Sequence, residues 1–391
     1  MKKYSSERYC YTDRETGAEV VRLTSWRANS NHLYFTNNSF YDGGRRIVFS
    51  SERDNAPNLF SLDLESGEIE QLTDFGVPEA YPGRNDFHLS YVDYNNAVCV
   101  FYIGRDLMRL DIKTKEVTPI FRVPDGYGKH IVSISADGKY ALTSVHEDVS
   151  ARRLGNTLQD TFNCHPHSMI KKIAIDGSGD ETVWEENNFV AHVNASPTNP
   201  DLLTFCHEGY WDEVDHRLWG LDLRFGMPHK IHLCQPREAI GHEYWFADGE
   251  RIGYHGVLNS YRTGPGDENL HGDKQLGSVK FDNTDDRSFS FPFKTGHIFS
   301  RDERLIVGDG DRDGRYLRVW TLENDGYGDP RALCLHRCSF KMQTSHVHPR
   351  ITPDGKSVLY TSDESGYNQL YIVRIPDNVC ELPPLSELSK I

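Results

Sequence analysis

Seven copies of one sequence unit are the feature that most constrains the fold of this chain. Each unit has an Asp-Gly turn, an alternating apolar strand, a polar loop, a strand rich in Leu and Tyr that ends near Asp, a Ser/Thr-Gly turn and a last strand. The clearest copy begins at Tyr41, and the seventh copy begins at Ile351. Units of about 45–55 residues with about four strands each are typical of a β-propeller, in which every blade is a small sheet. A pair of β-sandwiches would lack this fixed order.

The N-terminal segment repeats the end of the first unit. Residues 15–24 resemble residues 65–73, whereas the seventh unit lacks a last strand because the chain becomes Pro-rich after Ile375. We therefore expect residues 18–24 to complete the seventh blade, which would close the ring by backbone pairing and remove two exposed edges. The prediction is a single all-β domain over residues 1–391, a seven-bladed β-propeller with four-stranded antiparallel blades whose last blade is closed by an N-terminal strand.

Composition narrows the classes of partner. Hydrophobic residues make up 37% and charged residues 26% of the chain, as in a soluble protein with a substantial core. The net charge of −15 argues against nucleic-acid binding, which needs a basic face, but a locally basic cleft could still hold an anionic substrate. We find neither a membrane-spanning run nor a signal peptide, so we expect a cytoplasmic protein with reduced cysteines, no membrane partner and an open possibility of a homodimer.

The segment from Gln343 to Arg350 carries a concentrated set of metal donors. Gln343 offers an amide oxygen, and His346 and His348 offer imidazoles. In an extended segment every second side chain faces the same way, so the two imidazoles are expected to converge. This mixed nitrogen and oxygen set suits a borderline divalent ion such as Mn or Zn. The alternative is a surface strand that happens to contain His-x-His.

A histidine lies just ahead of the first strand in six of the seven units. The first strand of a propeller blade lines the channel, so these positions are expected at one mouth of it. Each histidine alone would be interpreted as a hydrogen-bonded core residue, but the set predicts a polar pocket over the axis. The six are His88, His130, His192, His242, His297 and His348.

Arg217 precedes an apolar strand in the fourth unit, and two interpretations are open. It could form a salt bridge with Asp212 or Asp215, or its guanidinium could bind a substrate carboxylate through two parallel hydrogen bonds.

Four motifs together resemble the oligogalacturonate lyases, polysaccharide lyase family 22, over essentially the whole chain. They are residues 240–245, Arg217 before Leu218, His297 with the later Gly-Asp-Gly, and Gln343 with His346 and His348. The resemblance implies that His242 is the Brønsted base and that Arg217 is the active-site arginine. It also implies that manganese, with Zn, Ni, Co or Ca as alternatives, is bound by His297, Gln343, His346 and His348.

The implied reaction is β-elimination on a short oligogalacturonide of the digalacturonate class in intracellular pectin breakdown. A base removes the C5 proton beside the carboxylate, the C4–O bond breaks, and an unsaturated uronate is released. A cation on the carboxylate would stabilise the enolate-like transition state. We expect neutral His242 as base, Arg217 on the substrate, and His207 as a further sugar contact. The alternatives are a lyase for another uronate oligosaccharide and a non-catalytic TolB-like propeller that binds proteins.

Overall fold

The computed structural model describes residues 1–76, 86–264, 269–292, 294–310, 314–324 and 326–388. Its strands form seven antiparallel sheets, which confirms the predicted seven-bladed β-propeller. The backbone divides into two compact units, which are described in turn. The first comprises Met1–Phe101, Leu110–Val117 and Pro292–Ile391, and the second Tyr102–Arg109 and Thr118–Phe291. A single domain over the whole chain stays a prediction.

The first unit contains the sheets of blades one, six and seven. Blade one has the strands Ser30–Asn31, Phe40–Tyr41, Arg46–Ser51, Asn58–Asp63 and Ile69–Gln71, with Lys3–Tyr4 at its edge. Blade six has Ile298–Ser300, Leu305–Gly308, Tyr316–Glu323, Gly326–Tyr327 and Arg331–Leu335. Blade seven has Arg350–Ile351, Ser357–Ser362, Gln369–Arg374, Glu19–Arg22 and Tyr9–Thr12.

The second unit contains the sheets of blades three, four and five. Blade three has Tyr127–Ile134, Tyr140–Glu147, His167–Ala174 and Asp180–Asn187. Blade four has Val190–Ala195, Leu202–His207, Leu218–Asp222 and Met227–Lys230. Blade five has Ala239–Trp245, Arg251–Tyr261, His271–Lys280 and Arg287–Ser290. The remaining sheet, blade two, is built from Tyr91–Val92, Val98–Ile103, Asp106–Asp111 and Val117–Arg122.

Helical segments are short. The α-helices are Leu158–Phe162 and Leu385–Leu388, and the 3-10 turns are Asp42–Gly44, Arg53–Asn55, Asp86–Leu89, Gln343–Ser345 and Val379–Glu381. Leu158–Phe162 begins with a capping box in which Thr157 and Asp160 bond each other's backbone amides. Across the described residues, no helix has the length and apolar character needed to cross a membrane.

The predicted closure of blade seven is confirmed. Glu19–Arg22 pairs antiparallel with Gln369–Arg374, with Val20 opposite Val373. The N-terminal segment does more than the repeat predicted, because Tyr9–Thr12 adds a further strand to blade seven and Lys3–Tyr4 pairs with the last strand of blade one. Between these strands Glu7 forms an ion pair with the fully buried Arg53. Two adjacent blades are thus joined by one short stretch of chain.

The central strands of blade one, Arg46–Ser51 and Asn58–Asp63, are buried along nearly their whole length. In the first unit a cluster of buried side chains includes Leu23 from the N-terminal segment, Ile47 and Phe49 from blade one, and Leu359 and Leu370 from blade seven. Apolar contact therefore holds the sheets of blades one and seven against each other.

Candidate metal centre and acid–base residues

The Gln343–His348 segment is a turn rather than the extended strand that we predicted. Gln343–Ser345 forms one 3-10 turn, and His348 has a left-handed backbone with φ of 45°. The turn brings the side-chain amide nitrogen of Gln343 within 3.3 Å of Nε2 of His348, whereas an extended chain would separate residues five apart by roughly 17 Å. The prediction of an extended backbone was wrong, but the convergence of the side chains that it implied is present.

Three of the four predicted metal ligands lie together. One potential ligand atom from each of His297, His346 and His348 lies within 4.8 Å of the other two. The ring centroids of His297 and His348 are 4.3 Å apart, and those of His297 and His346 are 5.3 Å apart. Nitrogens that bind one ion at about 2.1 Å lie at most about 4.2 Å from each other, so the cluster is close to the required size.

The surroundings of the cluster favour the neutral, ligating form of imidazole. Nδ1 of His297 lies 2.9 Å from Oδ2 of Asp309, whose other oxygen accepts hydrogen bonds from the amides of Gly296 and His297. A carboxylate on Nδ1 fixes the tautomer so that Nε2 carries the lone pair. Burial, reinforced by the neighbouring His297, holds the pKa of His348 well below its ordinary value. The residues present therefore fit a borderline divalent ion.

A further histidine, which lies in blade one, contacts this cluster. His32 is buried, its Nε2 lies 3.4 Å from the carbonyl of Val347, and its ring meets His348 edge-on at 6.4 Å. Burial lowers the pKa of His32 to about 4, so its ring is neutral at pH 7. Sequence reasoning missed His32 because it assigned no histidine to the first sequence repeat. His32 directly follows the strand Ser30–Asn31 of blade one.

The predicted histidines of blades three, four and five lie at β-bulges. His130, His192 and His242 each lie where the pairing of the first and second strands of their blade shifts register. His192 and His242 have φ of 49° and 51°, a left-handed backbone that costs about 1–3 kcal/mol in a residue other than glycine. Bulges turn individual side chains away from the regular alternation and are frequent beside active sites. The recurring histidine position in the sequence thus corresponds to a recurring backbone irregularity.

His242 is paired with a second histidine that sequence reasoning did not identify. Its Nδ1 lies 2.7 Å from Nε2 of His255, and the rings stack with centroids 5.0 Å apart. The indole of Trp211 meets both rings edge-on, at 5.0 Å and 5.3 Å. A Cβ atom at Gly241 would lie 2.1 Å from Trp211, so the close approach of the indole requires glycine there.

Arg217 lies in a buried ion-pair network, but not with the partners considered above. Its Nη1 donates to Oε1 of Glu208 at 2.9 Å, and its Nε donates to Oε2 of Glu243 at 3.4 Å. The salt-bridge alternative named the wrong acids, since Asp212 pairs with Arg262 and Asp215 with His207. The true partners come from the end of one strand and the bulge of the next blade, which sequence distance could not reveal.

Glu208 contacts a second basic side chain besides Arg217. Oε2 of Glu208 also lies 2.9 Å from Nε2 of His192. Burial alone would raise the pKa of Glu208, but the charge of Arg217 and the hydrogen bond from His192 lower it well below the ordinary value. The neighbouring Glu243 is 3% exposed, and within the described chain its Oε1 has no hydrogen-bond partner. A buried carboxylate oxygen of this kind is suited to accept a hydrogen bond from a ligand.

His207 does not have the surroundings that we expected of a sugar contact. Its Nδ1 lies 2.5 Å from Asp215, its Nε2 lies 3.1 Å from Glu186, and the side chain is 2% exposed. Burial works against the charged ring, but the bonds to Asp215 and Glu186 raise the pKa of His207. Both ring nitrogens contact protein carboxylates, a geometry that supports a structural role, and contact of His207 with a sugar stays a prediction.

Comparison with known proteins shows which family this chain resembles over its length. The sequence profile of the oligogalacturonate lyase family matches residues 1–379. The chain belongs to the oligogalacturonate lyase family. An oligogalacturonide lyase of Pectobacterium atrosepticum is 28% identical, with 95% of this chain and 97% of the relative covered. An oligogalacturonate lyase of Dickeya dadantii is also 28% identical, with coverage of 97% and 98%.

Two solved structures show the same fold over nearly the whole chain. One is an oligogalacturonate lyase in complex with manganese, which is 24% identical with a TM-score of 0.83 and covers 97% of this chain and 99% of its own. The other is an oligogalacturonate lyase from Vibrio parahaemolyticus, which is 22% identical with a TM-score of 0.82 and coverage of 96% and 98%. The fold of this family member is therefore the fold of those two enzymes.

Proposed function

We propose that this protein is a metal-dependent lyase that cleaves short oligogalacturonides, of the digalacturonate class, by β-elimination. One observation carries the proposal: in this member of the family, the potential ligand atoms of His297, His346 and His348 lie close together, and all three are imidazole nitrogens. In the same proposal the protein acts in the cytoplasm on small anionic oligosaccharides from pectin breakdown. Self-association as a homodimer stays a prediction.

The proposed ligands are all neutral. His297, His346, His348 and the amide oxygen of Gln343 would hold the ion, with manganese proposed first and Zn, Ni, Co or Ca as alternatives. When bound, a divalent ion supplies positive charge that offsets the charge of a uronate carboxylate as the C5 proton leaves. Because none of these ligands is an anion, they do not reduce that charge. Asp309 orients His297 from the far side of its ring.

His242 is the proposed general base. If its Nδ1–H donates to Nε2 of His255, the lone pair of His242 is on its own Nε2, which can then take the C5 proton of the uronate. The stacked ring of His255 and the edge of Trp211 restrict rotation of the His242 ring. Positioning of this kind keeps a base aligned with the proton that it removes. The prediction that these residues and the imidazole cluster act over one ring axis remains a prediction.

Arg217 remains the proposed substrate-binding arginine, with a role shaped by its ion pairs. Glu208 and Glu243 hold the guanidinium in one orientation, so that its remaining N–H groups are preorganised for a uronate oxygen. We further propose that Oε1 of Glu243 accepts a hydrogen bond from a sugar hydroxyl. This group would favour a hydroxylated ligand over an apolar one.

The deciding experiment is turnover of digalacturonate followed by ultraviolet absorbance of the unsaturated product. We expect product formation with Mn²⁺, its loss with a chelator and its return when Mn²⁺ is added back. Absence of product with every divalent ion tested would overturn the proposal. Turnover of a different uronate oligosaccharide alone would establish the alternative lyase. His242→Ala is expected to abolish turnover while bound metal is retained, and loss of the metal in that variant would refute the role of His242 as base.

A further inference from the structure

A second group of metal-type side chains lies in the second unit, where the fourth blade leads into the fifth. His232, Cys234 and Glu238 each offer one potential ligand atom, and these atoms lie within 4.8 Å of one another. His232 follows the last strand of blade four, and Glu238 immediately precedes the first strand of blade five. None of the three belongs to the proposed catalytic set.

The surrounding residues orient two of these side chains. Nδ1 of His232 lies 2.8 Å from Oδ2 of Asp286 and 2.8 Å from the hydroxyl of Tyr254. Nε2 of His232 therefore faces Oε1 of Glu238, at 2.9 Å. The carboxylate of Glu238 accepts a hydrogen bond from the backbone amide of Gln235 at 2.7 Å. A carboxylate on one ring nitrogen with a ligand group facing the other is the usual support of a metal-binding imidazole.

The cluster is built for positive charge. Among the described residues, the ion-pair partner of both Glu238 and Asp286 is His232. Two carboxylates therefore converge on one imidazole, with the Cys234 thiol beside them, and a cation at their centre would be surrounded by donor atoms.

We propose that His232, Cys234 and Glu238 form a second divalent-metal site, of the zinc class, between blades four and five. A thiolate, an imidazole and a carboxylate are a donor set typical of zinc, whereas manganese prefers sites without sulfur. The fourth position of a tetrahedral site would be taken by water. Because the ligands come from the segment that links two blades and are braced by Asp286 near the last strand of blade five, the ion would stabilise this junction.

Co²⁺ is the probe that separates this site from the proposed catalytic centre. A cobalt–thiolate bond gives a near-ultraviolet charge-transfer band, and the catalytic set contains no cysteine. We expect the metal-free protein to develop this band with Co²⁺ and to lose it with Zn²⁺. Cys234→Ser should abolish the band but retain Mn²⁺-dependent turnover. Cys338→Ser is the matched control, since Cys338 is also a half-buried free thiol, and it should keep the band.

A second measurement removes dependence on any variant. Zn²⁺ should protect Cys234 of the wild-type protein from alkylation, as read by mass spectrometry of the labelled peptide. The proposal is overturned if no charge-transfer band forms, if Cys234→Ser keeps it, or if Zn²⁺ leaves the alkylation of Cys234 unchanged.

Discussion

Nδ1 of His242 and Nε2 of His255 lie 2.7 Å apart in stacked rings. One of these nitrogens must carry the proton that joins them, and the choice decides which nitrogen of His242 has the lone pair. The proposed base thus depends on a residue from the adjacent strand of the same blade.

Removing the acceptor on His255 should impair turnover without removing any group that reaches substrate. His255→Phe keeps an aromatic ring against His242 but cannot accept from its Nδ1–H. We expect kcat to fall by about 10²-fold, within the range for a mispositioned general base, with little change in KM. His255→Gln, which offers an amide oxygen, should restore part of the activity.

The pH profile checks whether His255 acts through His242. In His255→Phe the acidic limb of the kcat profile should move, because the proton on His242 is no longer shared with a neighbour. A lowered kcat with an unchanged acidic limb would indicate that the variant acts only by disturbing the packing of Trp211.

Loss of Arg217 should destabilise the protein as well as inactivate it. Arg217→Ala leaves the buried carboxylates of Glu208 and Glu243 without their shared cation, which typically costs about 3–5 kcal/mol. The free energy of unfolding, measured with urea, should fall by this amount. The double variant Arg217→Ala with Glu208→Gln should recover part of the stability but none of the turnover. Full stability in Arg217→Ala would contradict the charge network.

Asp309 should control metal affinity through His297. Asp309→Asn weakens the group that fixes the ring of His297, and loss of such support lowers metal affinity by about 10–100-fold. Calorimetric titration with Mn²⁺ measures the change. Asp302→Asn serves as the control, because Asp302 is paired with the exposed Arg304. The Asp302→Asn variant should bind Mn²⁺ as the wild-type protein does. Equal affinity in both variants would argue against His297 as a ligand.

Stability should fall steeply below neutral pH. Burial lowers the pKa of His32, His146 and His336 to about 4 each, whereas in the unfolded chain each is near 6.5. Between pH 6.5 and 4 the unfolded state binds protons that the folded state does not, so the contribution of these groups is complete above pH 6.5 and is lost as pH falls through 4. These three sites alone give a slope of up to about 4 kcal/mol per pH unit, and His130 and His348, whose pKa values burial holds well below the ordinary value, add to it.

Urea midpoints at pH 7, 6 and 5 measure this slope. His146→Phe, which places an apolar ring beside Phe189, should reduce the slope by up to about 1.4 kcal/mol per pH unit. A slope that does not change in this variant would show that other groups take up the protons.

The blades and their closure could be predicted from sequence because their determinants are local. Alternating strands, Asp-Gly turns and the repeat of residues 15–24 report pairing that recurs in every blade. The positions of the candidate ligands were also predictable, although the resemblance to the family supplied their roles. No general pattern assigns a base to His242.

The details of the site could not be predicted because they depend on contacts between residues far apart in sequence or on irregular backbone. The 3-10 turn at Gln343, the partners of Arg217 and the support of His297 by Asp309 are of this kind. Two further histidines were visible in the sequence. His255 lies in the strand that pairs with the Gly-His-Glu segment, and His32 lies in the first sequence repeat.

Closure by the N-terminal strand also constrains the order of folding during synthesis. The hydroxyl of Thr24 accepts from the amide of Leu370, 346 residues further along the chain. One edge of the strand Glu19–Arg22 therefore stays unpaired until the seventh blade has been translated. Chaperone binding to this segment would be most useful during that interval, and a permuted chain that begins after residue 24 would shorten it.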